Sequence, residues 1–332
     1  MTEAASASVG LALSPETFAK LSPGPVLLAH LKSNTRRSGR RPDEFRTPAI
    51  NKGSLTHVNG SAVVRIGNTA VVCGVRAELL YASDMPKPPR HGQNQDEDDL
   101  VEELGLIVPN VELSTGCSPG HLPGNPPGSQ AQSLTYRAHT LLGGVLRLHD
   151  LQIEYELPAN EDEDSGAEPT KAIKGYWTLY VDVYCMALDG NAVDAISLAV
   201  VSALQDTTLP KAWWDADRET IVCSPLAAQG RRLRLKVLPL TTTFAIFSTA
   251  SPLKQKSSAQ SWMLADPDNF EEDCCEETVT VALNYDTSSG SIRSSCLQKQ
   301  GGAFVNKQIM RQCIEASEAR CALLLTLLKE SN

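Results

Sequence analysis

Helical membrane crossing is the first thing this sequence cannot provide. No run of eighteen apolar residues occurs among its 332, and a spanning helix needs about twenty. The opening stretch MTEAASASVGLALSPETF has neither a basic start nor a long apolar core, so no secretory leader is expected. The nine cysteines are an odd number and contain no C-x-x-C pair. A disulfide framework and a paired-thiolate zinc site are therefore both unexpected, and a reducing compartment suits the chain better. Thiols such as Cys73 in AVVCGV sit in apolar patterns as small hydrophobes. Cys117 and His121 flank Ser-Pro-Gly in a proline-rich stretch that reads as a solvated loop rather than a metal site. The six histidines lie in no Ser or Cys triad context, which removes nucleophilic catalysis.

Positive charge is also short. The net charge of −9 is awkward for a nucleic-acid binder, because phosphate contacts need lysine and arginine. The charges are segregated, however. Acidic runs occupy 95–103, 160–168 and 269–277, and the first two read as surface loops. Arginines gather at Arg36, Arg37, Arg40, Arg41 and Arg46, and again with Lys236 at Arg231, Arg232 and Arg234. In GRRLRLKV the cations alternate with Leu233 and Leu235, the pattern of an edge strand with one charged face. The adjacent Trp213 and Trp214 are expected to bury against a partner or the second half of the chain.

What is present is a repeated strand-then-helix grammar. Trp177 to Met186 alternates with the period of two that a strand imposes, and Asp189-Gly190-Asn191 breaks it. Ala192, Ala195, Ile196, Ala199, Val200, Ala203 and Leu204 then recur at helical spacing. Asn59-Gly60 and Gly67-Asn68 predict two hairpin turns in a strand meander over 51–80. A helix is expected over 131–148, weakened by Gly143-Gly144, and a long C-terminal helix presents Val305, Ile309, Cys313, Ala316, Leu323 and Leu327 near one face. These elements give an α+β fold class with helices on sheet faces. The expected division is an N-terminal arm over 1–32, a first domain over 33–210, a connector over 211–235 and a second domain over 236–330.

The stretch 177–210 resembles the central strand–turn–helix of the RNase PH family. RRSGRRPDEFR (36–46) is similar to that family's Arg-x-Asp-Gly-Arg element leading to Glu-Phe-Arg, with Ser38 where aspartate is usual. NGSAVVRIGNTAVVCGVRAE (59–78) resembles its Gly-Ser-x-x-Val-x-x-Gly-x-Thr strand pair. LADPDNFEED (264–273), TVTVALNYDTSSGSI and the QGGAF helix entry resemble its second half. In LYVDVYCMALDGNAVDA and the long polar insertions, the likeness is greater to inactive ring subunits of the eukaryotic exosome than to the phosphorolytic enzymes.

The resemblance implies an RNase PH-like fold whose first half is ribosomal S5 domain 2-like. It implies a non-catalytic place in a six-membered ring that threads single-stranded RNA toward a separate nuclease in 3′-to-5′ processing and degradation. The implied partners are other ring subunits, including an active-type sister, S1/KH-type cap subunits and RNA, with no membrane and no cofactor. The implied location is nucleus, nucleolus and cytoplasm. Active members seat phosphate with an arginine-bearing turn, which offers backbone N–H groups and a guanidinium; here Val193 stands at that place. Asp266 and Glu272 match the family's acidic pair in spacing and read as vestigial, so no catalytic residue and no metal ligand is expected. Arg36, Arg37, Arg40, Arg41 and Arg46 are candidates for RNA contact or for a protein interface in equal measure. The competing reading is an active phosphate-dependent 3′-to-5′ exoribonuclease.

Overall fold

The computed structural model describes residues 14–85, 97–123, 128–156, 171–249, 260–302 and 305–331. The acidic run 160–168 and residues 86–96 of the first insertion lie outside the described residues.

Proline starts both N-terminal helices, α1 (Pro15–Leu21) and α2 (Pro23–Lys32), where its missing N–H costs nothing. Ser14 caps α1 by accepting from the Thr17 N–H at 3.2 Å. The helical segment is no free arm. Leu27 and Leu31 of α2 are buried in a small apolar cluster with Ala245, Phe247 and Leu264 from the second half of the chain.

The first sheet contains β1 (Pro48–Lys52), β2 (Gly60–Ile66), β3 (Thr69–Tyr81), then β4 (Ile107–Leu113) after helix α3 (Glu97–Glu103). Helices α4 (Ser129–Leu142) and α5 (Leu148–Leu151) lead to β5 (Gln152–Glu156) and β6 (Lys171–Ala187). The strand order is β1-β2-β3-β6-β4, with β5 also on β6; β4 alone runs parallel to its neighbour. Helix α6 (Ala192–Asp206) follows, then the short strands β7 (Thr208–Leu209), β8 (Ala212–Asp215), β9 (Thr220–Cys223) and β10 (Arg231–Arg232). The second sheet is β11 (Val237–Ser248), β12 (Ser261–Ala265), β13 (Glu277–Asp286) and β14 (Ile292–Gln300), ordered β12-β11-β13-β14, all antiparallel. Helix α7 (Asn269–Cys274) precedes β13, and α8 (Lys307–Glu330) closes the described chain.

Helix α6 lies between the sheets, against β2 and β3 on one side and β11 on the other. Its alanines at 195, 199 and 203 are buried and keep the approach close. Gly60 shows how close: a Cβ there would sit 2.5 Å from the Thr207 Cα and 2.6 Å from the Ala203 carbonyl oxygen. One continuous core therefore joins both sheets through α6.

Four local expectations change. SLTHV (54–58) forms no strand; Asn59 instead ties the loop to β3, its N–H bonding to the Val75 carbonyl and its side-chain oxygen accepting from the Ala77 N–H. The acidic run from Glu97 makes helix α3 rather than a loop. Helix α4 stops at Leu142, because Gly144 turns to φ +70°. On α8 the buried stripe is Cys313, Ser317, Cys321, Leu324 and Leu328, and Leu323 is 60% exposed. Ten residues past Cys313 leaves Leu323 about 80° off the stripe of a 3.6-residue helix, whereas eleven brings Leu324 back to within about 20° of it.

The arginine segment 36–46 is locked to the second half. Arg36 is 1% exposed and its guanidinium pairs bidentately with the buried Glu271 carboxylate, donating also to the Ala265 carbonyl at 2.6 Å and the Asp266 carbonyl at 3.0 Å. Glu271 in turn closes a capping box with Asp268 at the start of α7. Removing one partner of a buried pair strands the other charge without water. Arg36→Ala is therefore expected to lower unfolding free energy by about 3–5 kcal/mol, read from urea melts. Arg41→Ala, which breaks only the exposed pair with Asp43, should leave the midpoint where it was.

A candidate anion site at the turn before α6

The turn after β6 is pressed against the loop that follows β12. Gly190 has φ +73°, and a Cβ there would lie 2.5 Å from the Asp268 carbonyl carbon and 2.6 Å from the Asn269 nitrogen. No other residue fits this approach. Asn191 follows at φ +53°, a left-handed position asparagine tolerates, and begins α6. The Thr69 hydroxyl fixes the turn from β3, donating to the Gly190 carbonyl at 2.8 Å and accepting the Asp189 N–H at 3.0 Å.

Asn191 links two carboxylates. Its side-chain amide donates to Asp194 Oδ2 at 2.8 Å and to Asp266 Oδ1 at 2.6 Å. Asp194 also accepts the Thr243 N–H and hydroxyl, both at 2.9 Å. Burial pushes the Asp194 carboxyl up, with the nearby Asp266 charge adding to the shift.

Asp266 ends β12 with φ +50° and 2% exposure. Its Oδ1 accepts from Arg46 Nη2 at 2.7 Å and from Asn191; its Oδ2 accepts from the Arg46 N–H at 2.9 Å, Arg46 Nε at 2.8 Å and Arg40 Nη1 at 3.4 Å. A carboxylate offers about four lone-pair sites, and these donors fill them. Burial pushes the carboxyl up, but the Arg46 hydrogen bonds and charge outweigh it and hold Asp266 below the usual range.

Glu272, on α7, points its Oε1 at the N-cap of α6, accepting from Asn191 N at 2.7 Å. A helix N-terminus attracts an anion through its unpaired N–H groups and dipole. Here the anion is the protein's own carboxylate. Burial still raises Glu272 from its ordinary 4.5 to about 7, against the lowering effects of that N–H and the Arg46 charge.

Val193, in the first turn of α6, lines a cavity of about 10 Å³ with Arg137, Thr241, Cys296 and Gln298. That is the least space a single water requires. Arg137, on α4, was invisible as a site residue because its helix carries no charge pattern that marks it. Burial holds its guanidinium below the ordinary value, countered by the charges of Asp194 and Glu272. Arg320 of α8 also reaches this corner, donating to the Arg46 carbonyl and lying 5.0 Å above the Phe45 ring.

The arginines expected to meet RNA are mostly turned inward. Arg36, Arg40 and Arg46 bond to Glu271 and Asp266, because three cations on one short segment are stable inside the fold only beside carboxylates. All three tie the segment to the chain's own second half. Only Arg37, stacked on Phe270 at 5.1 Å, and Arg41, paired with Asp43, face solvent. Asp266 and Glu272 do come together around the turn, bridged by Asn191. Cys117 is buried, and Ser118 Oγ lies 2.7 Å from His121 Nδ1; no group of three or more metal-binding side chains occurs among the described residues. Trp214 is capped by Lys174 at 4.7 Å, while Trp213 stays 41% exposed.

A carboxyl whose folded pKa exceeds its unfolded one binds more protons folded than unfolded between the two values, so its contribution to stability falls as pH rises through that window. For Glu272 the window runs from 4.5 to about 7. Glu272→Gln keeps the oxygen that accepts from Asn191 and removes the charge. It is expected to stabilise the protein at pH 8 by about 1–3 kcal/mol, with the gain vanishing toward pH 4.5. Urea melts at the two pH values measure this, and an equal gap at both would deny the shift.

The model of the 3′ exoribonuclease family, domain 1 (RNase PH) matches residues 44–210. The chain is 30% identical over 312 residues to exosome complex component rrp43 of Schizosaccharomyces pombe, covering 93% of this chain and 96% of that one. It is 24% identical over 309 residues to exosome complex component Rrp42 of Pyrococcus furiosus, covering 92% and 94%. Its fold is similar to a chain of the Archaeoglobus fulgidus exosome with RNA bound to the active site, with TM-score 0.61, 23% identity and coverage of 90% and 94%. An archaeal exosome core chain gives TM-score 0.60 at 22% identity, covering 95% and 99%. At those identities the two structures speak for the fold, while the family match and the fission-yeast relative carry the assignment: this protein belongs to the RNase PH family.

Proposed function

We propose that this chain is a non-catalytic subunit of an exosome core ring, supporting 3′-to-5′ RNA processing and degradation by helping to thread RNA toward a nuclease carried elsewhere. The observation that carries the reading is the filled anion position at α6. Glu272 takes the Asn191 N–H at the head of α6, and Val193 stands where the family resemblance calls for a phosphate-binding guanidinium. The cavity beside Val193 holds about 10 Å³, room for one water and too little for a phosphate. Asp266 has no lone pair left for a proton, water or metal, since Arg40, Arg46 and Asn191 use them.

The exosome names of the relatives support the ring. So does β14, a nine-residue edge strand that exposes Ile292 and Leu297 and would be covered by a neighbour. Under this reading the partners are other ring subunits, among them an active-type sister, with S1/KH-type caps and single-stranded RNA, in nucleus, nucleolus and cytoplasm.

Arg137 favours the second reading, an active phosphorolytic enzyme, because it brings a guanidinium near Glu272 and Asp194 from another helix. The two readings separate in one assay. The purified chain, given oligo-RNA and inorganic phosphate, is expected to release no nucleoside diphosphate, and co-expression with an active-type sister should yield a stable heterodimer. Diphosphate release that Arg137→Gln abolishes would make the chain an enzyme.

A further inference from the structure

A second group of arginines is unlike the first in that Arg232 and Arg234 have no carboxylate partner among the described residues. The segment 231–236 runs antiparallel beside 145–150. The Arg231 guanidinium donates to the Asp150 carbonyl at one end, and the Lys236 N–H bonds to the Val145 carbonyl at 2.8 Å at the other. Leu233 and Leu235 are buried and anchor the segment, helped by the Leu233 N–H on the Thr207 carbonyl at 2.9 Å. The period of two then turns Arg232, Arg234 and Lys236 to the other side. Arg147, exposed, stands between Val145 and Asp150 on the neighbouring segment.

Two carboxylates lie near the strip: Asp150, 4.0 Å from Arg231, and Asp206, whose charge acts with that of Arg232 on Lys52. Arg147, Arg232 and Arg234 have no carboxylate partner among the described residues. Lys52 lies close enough that its ammonium is depressed, by burial first and then by the Arg232 charge. On a chain of net charge −9, such a strip is a local positive field that attracts a polyanion.

We propose that Arg147, Arg232 and Arg234 bind the sugar-phosphate backbone of single-stranded RNA. The choice of RNA as the polyanion rests on the ring reading above; the exposed guanidiniums do not. Same-side residues of an extended segment recur about every 7 Å, a repeat a flexible strand can follow phosphate by phosphate, and the guanidinium fork matches phosphate oxygens. A protein partner is the poorer fit. Interface cores are rich in exposed aromatic and apolar anchors, and none of the exposed large hydrophobic residues falls in 145–150 or 231–236.

The test is fluorescence anisotropy of a labelled oligouridylate with the full chain over a salt series, with polyglutamate as competitor. Each single-strand phosphate contact contributes about 0.7 to the slope of log K against log salt. The triple variant R147Q/R232Q/R234Q should bind more weakly with a slope shallower by about 2, and R147K/R232K/R234K should retain the original slope. Should the triple variant melt early, R232Q and R234Q singly should each remove about 0.7. A wild-type slope in the glutamine variants, no RNA binding by the wild type, or displacement by polyglutamate at equal charge would overturn the proposal. Loss of heterodimer formation with an unchanged RNA slope would also overturn it, by assigning the strip to a protein interface. Heterodimer formation is scored separately, so failure of the strip and failure of the ring reading give different results.

Discussion

The buried carboxylate of Asp266 is the constraint on which the arrangement of the two halves depends. An ionised carboxylate without water is tolerable only when its lone pairs are all met by donors. Those donors come from two places far apart in sequence: Arg40 and Arg46 before the first sheet, and Asn191 at the head of α6. Each must arrive in register or the others lose their partner. The position of Asp266 at the end of β12 therefore fixes both the 36–46 segment and the turn before α6. Its left-handed φ of +50° is a strained conformation that persists because the surrounding bonds over-determine it. Arg36 and Glu271 repeat the arrangement one step deeper, with no exposed atom to relax into solvent.

The same saturation sets the character of the corner. Every lone pair of Asp266 meets a donor, and Glu272 spends one oxygen on the Asn191 N–H. The turn keeps the geometry that makes a helix N-terminus attractive to anions, and Gly190 still allows backbone to approach backbone. Glu272 lies against the turn, and burial raises its carboxyl to about 7 because one N–H and the Arg46 charge only partly offset the desolvation.

Much of the fold was legible because its signals are local. The alternation of Trp177 to Met186, the Asp-Gly-Asn turn and the small-residue face of α6 each follow from a short periodicity. The family resemblance then supplied the order of the pieces. The misreadings occurred where tertiary contacts decide. SLTHV has strand-like residues but no neighbouring strand, and Asn59 is recruited by β3 instead. On α8 a one-residue error in phase moved the apolar face from Leu324 to Leu323. The family resemblance pointed to Asp266 and Glu272, but not to Asp194, Asn191, Arg137 or Arg320 as site residues. Their roles come from which helix end faces which strand, and no pattern within their own segments records that.

The two arginine clusters show why charge density along a sequence is a poor guide to a binding face. By number of arginines the 36–46 segment is the richer, and both clusters invite the same reading. Pairing separates them. A cation with a buried carboxylate within hydrogen-bond distance contributes little field outside the protein, since the pair is neutral and its atoms are covered. Arg36, Arg40 and Arg46 are of that kind. A cation with no carboxylate beside it keeps its field in solvent, screened only over about 8 Å at physiological salt. Among the described residues Arg147, Arg232 and Arg234 are of that kind, and the buried Leu233 and Leu235 anchor the 231–236 segment at the surface. In an acidic chain the function of an arginine follows from where its counter-charge lies, and that is a property of the fold rather than of the run of residues.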